Sequence, residues 1–269
     1  MRCAVLGDPI AHSLSPVLHR AGYVAVGLDW SYDAVQVRSG DLAGFVDGLG
    51  GPEGGWRGLS VTAPLKREAL ARADVVSARA ELVGSANTLL LTGQQVHADN
   101  TDLPGAVAAV RERYDGTIRH ATILGGGATA AATGLAMVDL GASTVLVAVR
   151  RPERAREAAE RIAAHPSGPR VDVVGLDDAS DDTDAIVSTI PVSAQTERLA
   201  AACAGVPLMF DVVYDPWPTP LSAVGSVVVS GLDLLVHQAA LQFTAFTGLA
   251  APLAEMRAAG EAALRERVS

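Results

Sequence analysis

The stretch "TILGGGATAAATGLAMVDLG", Thr122–Gly141, decides the fold, because it joins a short apolar run to a glycine-rich turn and a helix-length apolar segment. Gly125, Gly127 and Ala130 give it the spacing G-x-G-x-x-A. Glycine permits a tight turn and a close approach of the backbone to a diphosphate, which the amides of the following helix bind. The spacing alone is a weak signal, since such turns occur in many strand–helix units. Here strand, turn, helix and second strand follow in order, which favours dinucleotide binding.

Strands and helices alternate regularly around this turn. Six runs rich in Val, Ile and Leu are separated, in most cases, by segments of helix length. The runs are "ATILG", "STVLVAV", "VDVVGL", "AIVSTI", "LMFDVVY" and "SVVVSG". This order predicts a doubly wound parallel sheet of the Rossmann type. We expect residues 103–231 to form this dinucleotide-binding domain.

The first hundred residues predict a second α/β domain. "CAVLG", "WSYDAVQV" and "GLSVT" are expected strands, and "NTLLL" and "QVHAD" are expected to form a hairpin around "TGQ". Helices are expected to begin at Ser15, behind Asp41, near Pro64 and near Thr101 or Asp102. We expect residues 1–102, completed by two C-terminal helices within 232–269, to form a substrate-binding domain, with a cleft between the two domains.

The loop "GDPIAHSLSP", residues 7–16, follows the first strand. Ser15 is expected to be the N-cap of the next helix and Pro16 its first helical residue, which is the preferred chemistry for starting a helix. Capping leaves His12 and Ser13 unexplained. We expect His12 to be structural.

The composition restricts the function classes. A net charge of −9 argues against a nucleic-acid-binding surface, and no apolar run approaches the length of a membrane span. Cys3 and Cys203 lie far apart, which is typical of free thiols in a reducing compartment. None of the six histidines has metal-ligand spacing. We therefore expect a cytoplasmic protein without a metal that binds neither nucleic acid nor a membrane.

An arginine-rich segment, "RRPERAREAAER", follows the second strand of the Rossmann segment. NAD-binding domains carry an acidic residue near this point for the ribose 2′-hydroxyl, whereas arginine accommodates the 2′-phosphate of NADP. A solvated helix with charge pairs such as Glu153 with Arg156 or Glu157 with Arg161 explains Arg156 and Arg161. It does not explain Arg150 and Arg151, which precede the helix. We assign Arg150 and Arg154 to the phosphate, with Arg151 as a further candidate, so the predicted cofactor is NADP.

Polar side chains follow the strands of the first domain. They are Ser13, Ser15, Thr62, Lys66, Asn87 and Asp102. Singly, each has an ordinary explanation: Lys66 as a surface lysine, Asp102 as a carboxylate at a helix start, Asn87 as a turn residue. Together, they would project into the crevice where α/β enzymes bind ligands. A lysine beside an aspartate is suited to give or take a proton at a reacting oxygen.

Eight stretches, in order and over nearly the whole chain, resemble the shikimate dehydrogenase family. They are "GDPIAHSLSP", "LSVTAPLK", "GSANTL", "DNTD", "LGGGATA", "STIP", "DVVYDPWPTPL" and "SGLDLLVHQAA". The resemblance implies reversible NADPH-dependent reduction of 3-dehydroshikimate to shikimate, in chorismate and aromatic amino-acid biosynthesis. It implies that Lys66 and Asp102 are the catalytic pair, with Lys66 as general acid and base. The expected partner is this small-molecule substrate, and the expected assembly is a monomer or a homodimer.

The resemblance also assigns the binding residues. Ser13, Ser15 and Thr62 would contact the carboxylate or ring oxygens of the substrate, and Asn87 and Gln238 its hydroxyls. The first helix end and the two serine hydroxyls would then form a small anion site. Tyr214 matches the substrate-side tyrosine of the family. The implied cofactor-binding residues are Gly125, Gly126, Gly127, Ala128, Arg150, Arg151, Arg154, Thr189, Ile190, Gly231 and Leu234.

Two positions depart from the family pattern. Ala128 stands where the family often has glycine, and it adds a methyl group near the diphosphate path. Leu234 stands where methionine commonly lies beside the nicotinamide. Both residues keep the surface apolar, so we expect a change in rate or affinity and not in the reaction.

Three other functions stay open. A quinate/shikimate dehydrogenase of the same superfamily is the nearest, although an acidic residue in place of Arg150 would have favoured its usual NAD preference. A methylenetetrahydrofolate dehydrogenase-like enzyme also pairs a catalytic lysine with a Rossmann domain, but its substrate lacks the carboxylated ring that Ser13 and Ser15 would hold. A non-catalytic NADP sensor would have no need of Lys66 and Asp102.

Overall fold

The computed structural model describes residues 1–179 and 183–268, so Ser269, which ends the predicted C-terminal helical segment, lies outside the described residues. The chain divides into two compact units. The first comprises Met1–Thr101 and the chain from Leu235 onward, and the second comprises Asp102–Leu234. Both units combine helices with a six-stranded sheet, and the predicted α/β fold class is confirmed.

The first unit contains a mixed sheet. Its strands are β1 (Arg2–Gly7), β2 (Ser31–Gln36), β3 (Trp56–Val61), β4 (Val75–Val76), β5 (Thr88–Thr92) and β6 (Gln95–Asp99). They lie in the order β2-β1-β3-β5-β6-β4. β1 is parallel to β2 and β3, whereas β5 is antiparallel to β3 and β6. The predicted hairpin is thus confirmed, and the carboxyl ends of β1 and β3 meet at one edge of the sheet.

Four helices of this unit connect its strands. They are α1 (Ser15–Ala25), α2 (Leu42–Asp47), α3 (Lys66–Arg72) and α4 (Ala78–Val83). The prediction that Ser15 caps α1 is wrong, because Leu14 occupies the N-cap position and makes no side-chain capping bond. The Ser13 hydroxyl oxygen instead accepts a hydrogen bond of 3.3 Å from the Ser15 amide. Ser13 therefore supplies the local acceptor that Leu14 lacks.

The second unit contains an entirely parallel sheet. Its strands are β7 (His120–Leu124), β8 (Thr144–Val149), β9 (Arg170–Gly175), β10 (Ala185–Ser188), β11 (Leu208–Asp211) and β12 (Val227–Ser230). Its helices are α5 (Asp102–Arg113), α6 (Ala128–Asp139), α7 (Arg156–Ala163) and α8 (Glu197–Ala202). The order β9-β8-β7-β10-β11-β12 is the doubly wound Rossmann order, with its switch point between β7 and β10.

Helices cover this sheet closely, and small residues allow the helices to approach each other. β10 and β11 are buried along their whole length, as expected for strands covered on both faces. In α6, a Cβ added at Gly134 would lie 2.3 Å from the Ile162 side chain of α7. This contact shows how closely α6 and α7 approach each other.

Two long helices end the chain. α9 (Gly231–Thr247) begins in the second unit and continues into the first, and α10 (Leu253–Val268) packs against α1. At Gly22 of α1, an added Cβ would lie 2.9 Å from Phe243 of α9 and 3.3 Å from Met256 of α10. Among the described residues, no helix is both long enough and apolar enough to cross a bilayer.

Candidate functional site

The glycine-rich turn lies at the switch point of the parallel sheet. Gly125 follows β7 directly and has φ at +121°, a conformation that side chains rarely tolerate. A Cβ there would lie only 2.2 Å from the Thr189 hydroxyl oxygen, which follows β10. The Thr189 amide and hydroxyl both donate to the Leu124 carbonyl, at 2.8 and 3.0 Å. The structure therefore brings Gly125 and Thr189 together, and Ile190 follows on the same loop.

The arginine segment packs against the next glycine of this turn. A Cβ added at Gly126 would lie 2.6 Å from the Arg154 carbonyl oxygen. Arg150, Arg151 and Arg154 are exposed and follow the carboxyl end of β8. These three exposed arginines thus lie on the segment whose backbone packs against the glycine turn, where a 2′-phosphate would lie in a Rossmann unit.

The suggested pairing of Arg156 with Glu153 is wrong. Arg156 donates to Glu160 one turn further along α7, at 2.9 Å. An i,i+4 pair on a continuous helix is geometrically better than a pair that crosses the start of the helix. Arg156 is therefore engaged on the helix surface, unlike the arginines that precede α7.

The start of α6 is open to a ligand. Gly127 is its N-cap residue and provides no side-chain cap, so the first amides of α6 lack a side-chain acceptor at this position. A Cβ at Gly127 would have no atom within 4 Å, and Gly127 itself is exposed. Ala128, the first helical residue, is partly exposed. Helix-start amides beside open space are suited to a diphosphate, so these residues fit a dinucleotide.

A buried carboxylate organises the loop that carries Tyr214. Asp211, at the end of β11, accepts hydrogen bonds from Thr219 Oγ1 at 2.6 Å, Gln195 Nε2 at 2.8 Å and the Val213 amide at 3.2 Å. Burial raises the pKa of Asp211 above its ordinary value, although these bonds oppose the shift. Tyr214 lies between Val213 and Thr219 and is partly exposed. The loop is consequently anchored at both of its ends.

The start of α9 interlocks with the same loop. The Gly231 amide donates to the Val213 carbonyl at 3.3 Å, and a Cβ at Gly231 would lie 2.2 Å from the Val212 carbonyl oxygen. Any side chain at position 231 would therefore displace the loop. Leu234 is buried, with 7% of its surface exposed, on the first turn of the helix. Gly231 and the Tyr214 loop are thus brought together within the second unit, and Leu234 follows Gly231 on the same helix.

In the first unit, the carboxyl ends of β1 and β3 pack together. The Thr62 amide donates to the Leu6 carbonyl at 2.8 Å, and a Cβ at Gly7 would lie 2.5 Å from the Thr62 methyl group. Ser13 is partly exposed and Ser15 is buried at the start of α1. His12 is exposed, and its carbonyl accepts a 3.0 Å hydrogen bond from Arg267.

Lys66 is the first residue of α3 and is partly buried. Its carbonyl accepts a 2.9 Å hydrogen bond from the Ala86 amide, which fixes its backbone next to Asn87. It is also the only lysine in the sequence, since all other Lys or Arg positions carry arginine. Arginine does not deprotonate in proteins, whereas lysine does. The exclusive use of lysine at position 66 is a sequence signal that motif spacing does not reveal.

Asn87 is the centre of a buried hydrogen-bond network. Its Oδ1 accepts from the Thr101 amide at 2.8 Å, and its Nδ2 donates to Thr101 Oγ1 at 2.9 Å and Gln238 Oε1 at 3.2 Å. Asn87 and Gln238 are both buried. The structure therefore unites two predicted site residues that are far apart in the sequence. Asp102 follows Thr101 as the first residue of α5, and it is buried, with 6% of its surface exposed.

Several residues that organise these sites were not predicted. They include Tyr32, Ser60, Thr101, Asp211, Asp233 and Gln242. For Gln242 a signal existed, because it lies four residues after Gln238 and so on the same face of the helix. In the described ranges, no group of three or more His, Cys, Asp or Glu residues is placed to hold a metal ion.

The second unit is a Rossmann sheet with an open glycine turn at its switch point, and the chain also carries a separate α/β unit. This combination is typical of two-unit oxidoreductases that use a nicotinamide dinucleotide. A family model of the shikimate dehydrogenase substrate-binding domain matches residues 5–89. A model of the shikimate 5′-dehydrogenase C-terminal domain matches residues 231–259. A model of coenzyme F420-dependent NADP oxidoreductases matches residues 120–206.

Relatives match the chain over nearly its full length. The NADP⁺-dependent shikimate dehydrogenase of Desulfitobacterium hafniense is 32% identical, over 95% of this chain and 96% of its own. The shikimate dehydrogenase structure from Mycobacterium tuberculosis is 41% identical with a TM-score of 0.86, covering 97% of this chain and 99% of that one. The Thermus thermophilus shikimate 5-dehydrogenase, in complex with NADP(H) and shikimate, is 31% identical with a TM-score of 0.82 and covers 98% and 100%. The chain belongs to the shikimate dehydrogenase family.

Proposed function

We propose that this protein transfers hydride reversibly between NADPH and the ring ketone of 3-dehydroshikimate, giving shikimate. The observation that carries this proposal is the position of the only lysine. Lys66 is fixed by a backbone hydrogen bond beside the buried amide of Asn87, and a proton-transferring group there is what the reduction of a polyhydroxylated ketone requires. The first unit binds the substrate in this proposal, and the second unit binds the cofactor.

The substrate carboxylate is assigned to the loop and helix start that follow β1. Ser13 and Ser15 provide hydroxyl groups there, and Thr62 lies at the end of the adjacent strand β3. A helix N-terminus with hydroxyl donors favours a carboxylate, even in a protein whose net charge is −9. Asn87 and Gln238 hold the ring hydroxyls. In support, the Asn87 Nδ2 donates to Gln238 Oε1 in the buried network, and the Gln238 Nε2 donates to the Leu235 carbonyl.

Lys66 is the general acid in ketone reduction. Bound NADPH supplies the hydride, and the electron pair of the carbonyl moves to its oxygen. The Lys66 ammonium gives a proton to this oxygen, and the neutral amine accepts it back when shikimate is oxidised. Asp102 orients Lys66 and the adjacent hydroxyl. In support, the Thr101 amide, which directly precedes Asp102, donates to the Asn87 side chain. The Lys66 carbonyl accepts from the amide of the neighbouring residue, Ala86.

NADP is assigned to the second unit. The diphosphate fits the open turn of Gly125, Gly126 and Gly127 and the first amides of α6, where Ala128 narrows the approach by one methyl group. Arg150 and Arg154, with Arg151, neutralise the 2′-phosphate, because guanidinium groups bind phosphate oxygens in pairs. Thr189 and Ile190 line the turn. Gly231 and Leu234 lie beside the nicotinamide in this proposal, and Tyr214 is on the substrate side.

The remaining assignments concern the cellular setting. We place the protein in the cytoplasm as a monomer or homodimer, without a metal, a nucleic-acid partner or a membrane contact. These assignments are supported by the net charge of −9 and by two buried free cysteines.

A direct test is an absorbance assay of nicotinamide reduction with purified protein. Shikimate and quinate are each paired with NADP⁺ and NAD⁺. The proposal expects turnover with shikimate and NADP⁺. Turnover of quinate or a preference for NAD⁺ indicates that the substrate pocket or the arginine segment was misassigned. If NADP⁺ binds but neither substrate is turned over, the protein is better described as an NADP sensor than as an enzyme.

The role of Lys66 is tested by replacing it with methionine and with arginine. Lys66→Arg retains the charge but does not release a proton, so both variants should lose about 10²- to 10⁴-fold in turnover. Binding of NADP⁺, measured by calorimetry, should be unchanged in both. Near-normal turnover in either variant contradicts the assignment.

A further inference from the structure

Gln242 connects three strands of the first unit through buried hydrogen bonds. It lies on α9 and exposes only 1% of its surface. Its carboxamide contacts Ser60 of β3, the Asn87 carbonyl and Thr88 of β5. Through Ser60 it also reaches Tyr32 of β2. All of these residues are buried, so water is a poor replacement for any of the bonds.

The Tyr32 and Ser60 hydroxyls fix the orientation of the Gln242 carboxamide. The Tyr32 hydroxyl donates to Ser60 Oγ, and the Ser60 hydroxyl then donates to Gln242 Oε1 at 2.7 Å. Because Oε1 faces Ser60, Nε2 faces the opposite way. It donates to the Asn87 carbonyl at 2.9 Å and to Thr88 Oγ1 at 3.0 Å. A flipped amide would put Oε1 against the Asn87 carbonyl oxygen and lose these bonds.

The order of donors and acceptors continues from Gln242 through Thr88 to the side chain of Asn87. Since Thr88 Oγ1 accepts from Gln242, its hydroxyl proton is directed to Asn87 Oδ1, at 2.8 Å. The Thr101 amide donates to the same Oδ1. The Thr101 hydroxyl also lies 3.2 Å from this Oδ1. These donors fix Oδ1 as an acceptor, and Nδ2 faces Thr101 Oγ1 and Gln238 Oε1. The Asn87 amide has one favoured orientation, and its NH2 group lies on the side of Gln238.

We propose that Gln242 is a positioning residue that sets the orientation of the Asn87 amide and thereby the affinity for shikimate. This inference rests on the proposed function, in which Asn87 and Gln238 hold the ring hydroxyls. Without the Gln242 donor, the Thr88 hydroxyl is free to rotate, and Asn87 Oδ1 loses it as a fixed donor. The Asn87 amide then samples the flipped orientation, which presents oxygen where the substrate requires a donor.

A purely structural role for Gln242 predicts a different result. A loss of packing or of buried hydrogen bonds lowers the free energy of unfolding, but it leaves the KM of the folded enzyme unchanged. The two roles are therefore separated by measuring Tm together with KM and kcat for each substrate.

The experiment compares Gln242→Met, which keeps the length of the side chain, with Ser60→Ala, which removes the hydroxyl that donates to Gln242 Oε1. Gln242→Met should raise the KM for shikimate about five- to tenfold, the effect of one lost buried hydrogen bond, with little change in the KM for NADP⁺. Ser60→Ala should raise it less. The double variant should resemble Gln242→Met, because both substitutions interrupt one chain of bonds.

Phe243→Leu is the matched control, since Phe243 is a fully buried neighbour on the same helix whose side chain has no hydrogen-bonding group. It should lower Tm without changing the KM for shikimate. The inference is overturned if Gln242→Met leaves this KM unchanged, if Phe243→Leu raises it equally, or if the double variant is additive. Turnover of shikimate by the wild-type protein tests the proposed function separately. A wild-type protein without turnover overturns both.

Discussion

Arg113 donates a 2.8 Å hydrogen bond to Asp233, which ties the end of α5 to the first turn of α9. The other oxygen of Asp233 accepts from the amide and the hydroxyl of Ser230, at 3.0 and 2.8 Å. The Ser230 hydroxyl oxygen in turn accepts from the Asp233 amide at 3.2 Å. This reciprocal arrangement is a capping box, and it holds Gly231 where it packs on Val212.

Replacing Arg113 with glutamine should destabilise the second unit. Asp233 is only 3% exposed, so its carboxylate would lose a charged partner that water replaces poorly. We expect the free energy of unfolding to fall by about 1–3 kcal/mol, measured by urea denaturation. Arg111→Gln is the control, since Arg111 lies exposed on the same helix. Equal losses in both variants would show that the ion pair is not the cause.

Two glycines of the turn should respond differently to alanine. Gly125→Ala forces a side chain into φ of +121° and against Thr189, so it should cost about 1–3 kcal/mol of stability. Gly127→Ala meets no atom within 4 Å and should cost about 1 kcal/mol or less. The added methyl group nevertheless points into the proposed diphosphate path, so NADP⁺ affinity should fall. Calorimetric titration measures this, and unchanged affinity in Gly127→Ala would place the diphosphate elsewhere.

Arg150→Ala should weaken binding of NADP⁺ and not of NAD⁺. A charge-assisted contact to phosphate is worth about 1.5–3 kcal/mol, so the KM for NADP⁺ should rise about ten- to a hundredfold. NAD⁺ lacks the 2′-phosphate and should be unaffected. Arg156→Ala is the matched control, because the Arg156 guanidinium is paired with Glu160. A parallel loss of affinity for both cofactors would argue against the phosphate contact.

Stability should depend on pH through His19. Burial lowers the pKa of His19 from 6.5 to about 3, and its ring stacks on Tyr32 at 4.1 Å. Between pH 6.5 and pH 3 the unfolded chain therefore binds a proton that the folded chain does not. Stability falls as pH decreases through this window, by at most about 1.4 kcal/mol per pH unit from this residue.

His19→Phe removes this contribution, so urea denaturation at about pH 7, 6 and 5 should show a smaller loss of stability than in the wild-type protein. An unchanged slope in His19→Phe would mean that other groups cause the acid sensitivity.

Much of the fold could be predicted from local patterns. The six apolar runs after Tyr114 correspond to β7–β12, and the hairpin around "TGQ" corresponds to β5 and β6. Such patterns are readable because a strand covered on both faces must be apolar along its length. β4, with only two residues, was missed, since Val75 and Val76 are exposed and too short a run to form a pattern.

The start of α1 shows the limit of local reasoning. Ser15 and Pro16 have the right chemistry for a helix start, yet α1 begins one residue earlier than the cap assignment required. The acceptor comes from Ser13, because Leu14 is buried and takes the N-cap position instead. Helix propensity determined where the helix lies along the sequence, and the packing of Leu14 determined the residue at which it begins.

The sequence by itself determined the class of fold, the glycine turn and the isolated lysine, because backbone geometry and side-chain chemistry are properties of single residues and short spacings. Only the tertiary structure decided that Gln242 and Ser60 orient Asn87, and that Arg113 holds the start of α9. The bonded partners in these contacts are separated by 120 to 182 positions in the chain. Buried polar groups must find partners wherever the fold supplies them, and nothing in the local sequence specifies which distant residue that will be.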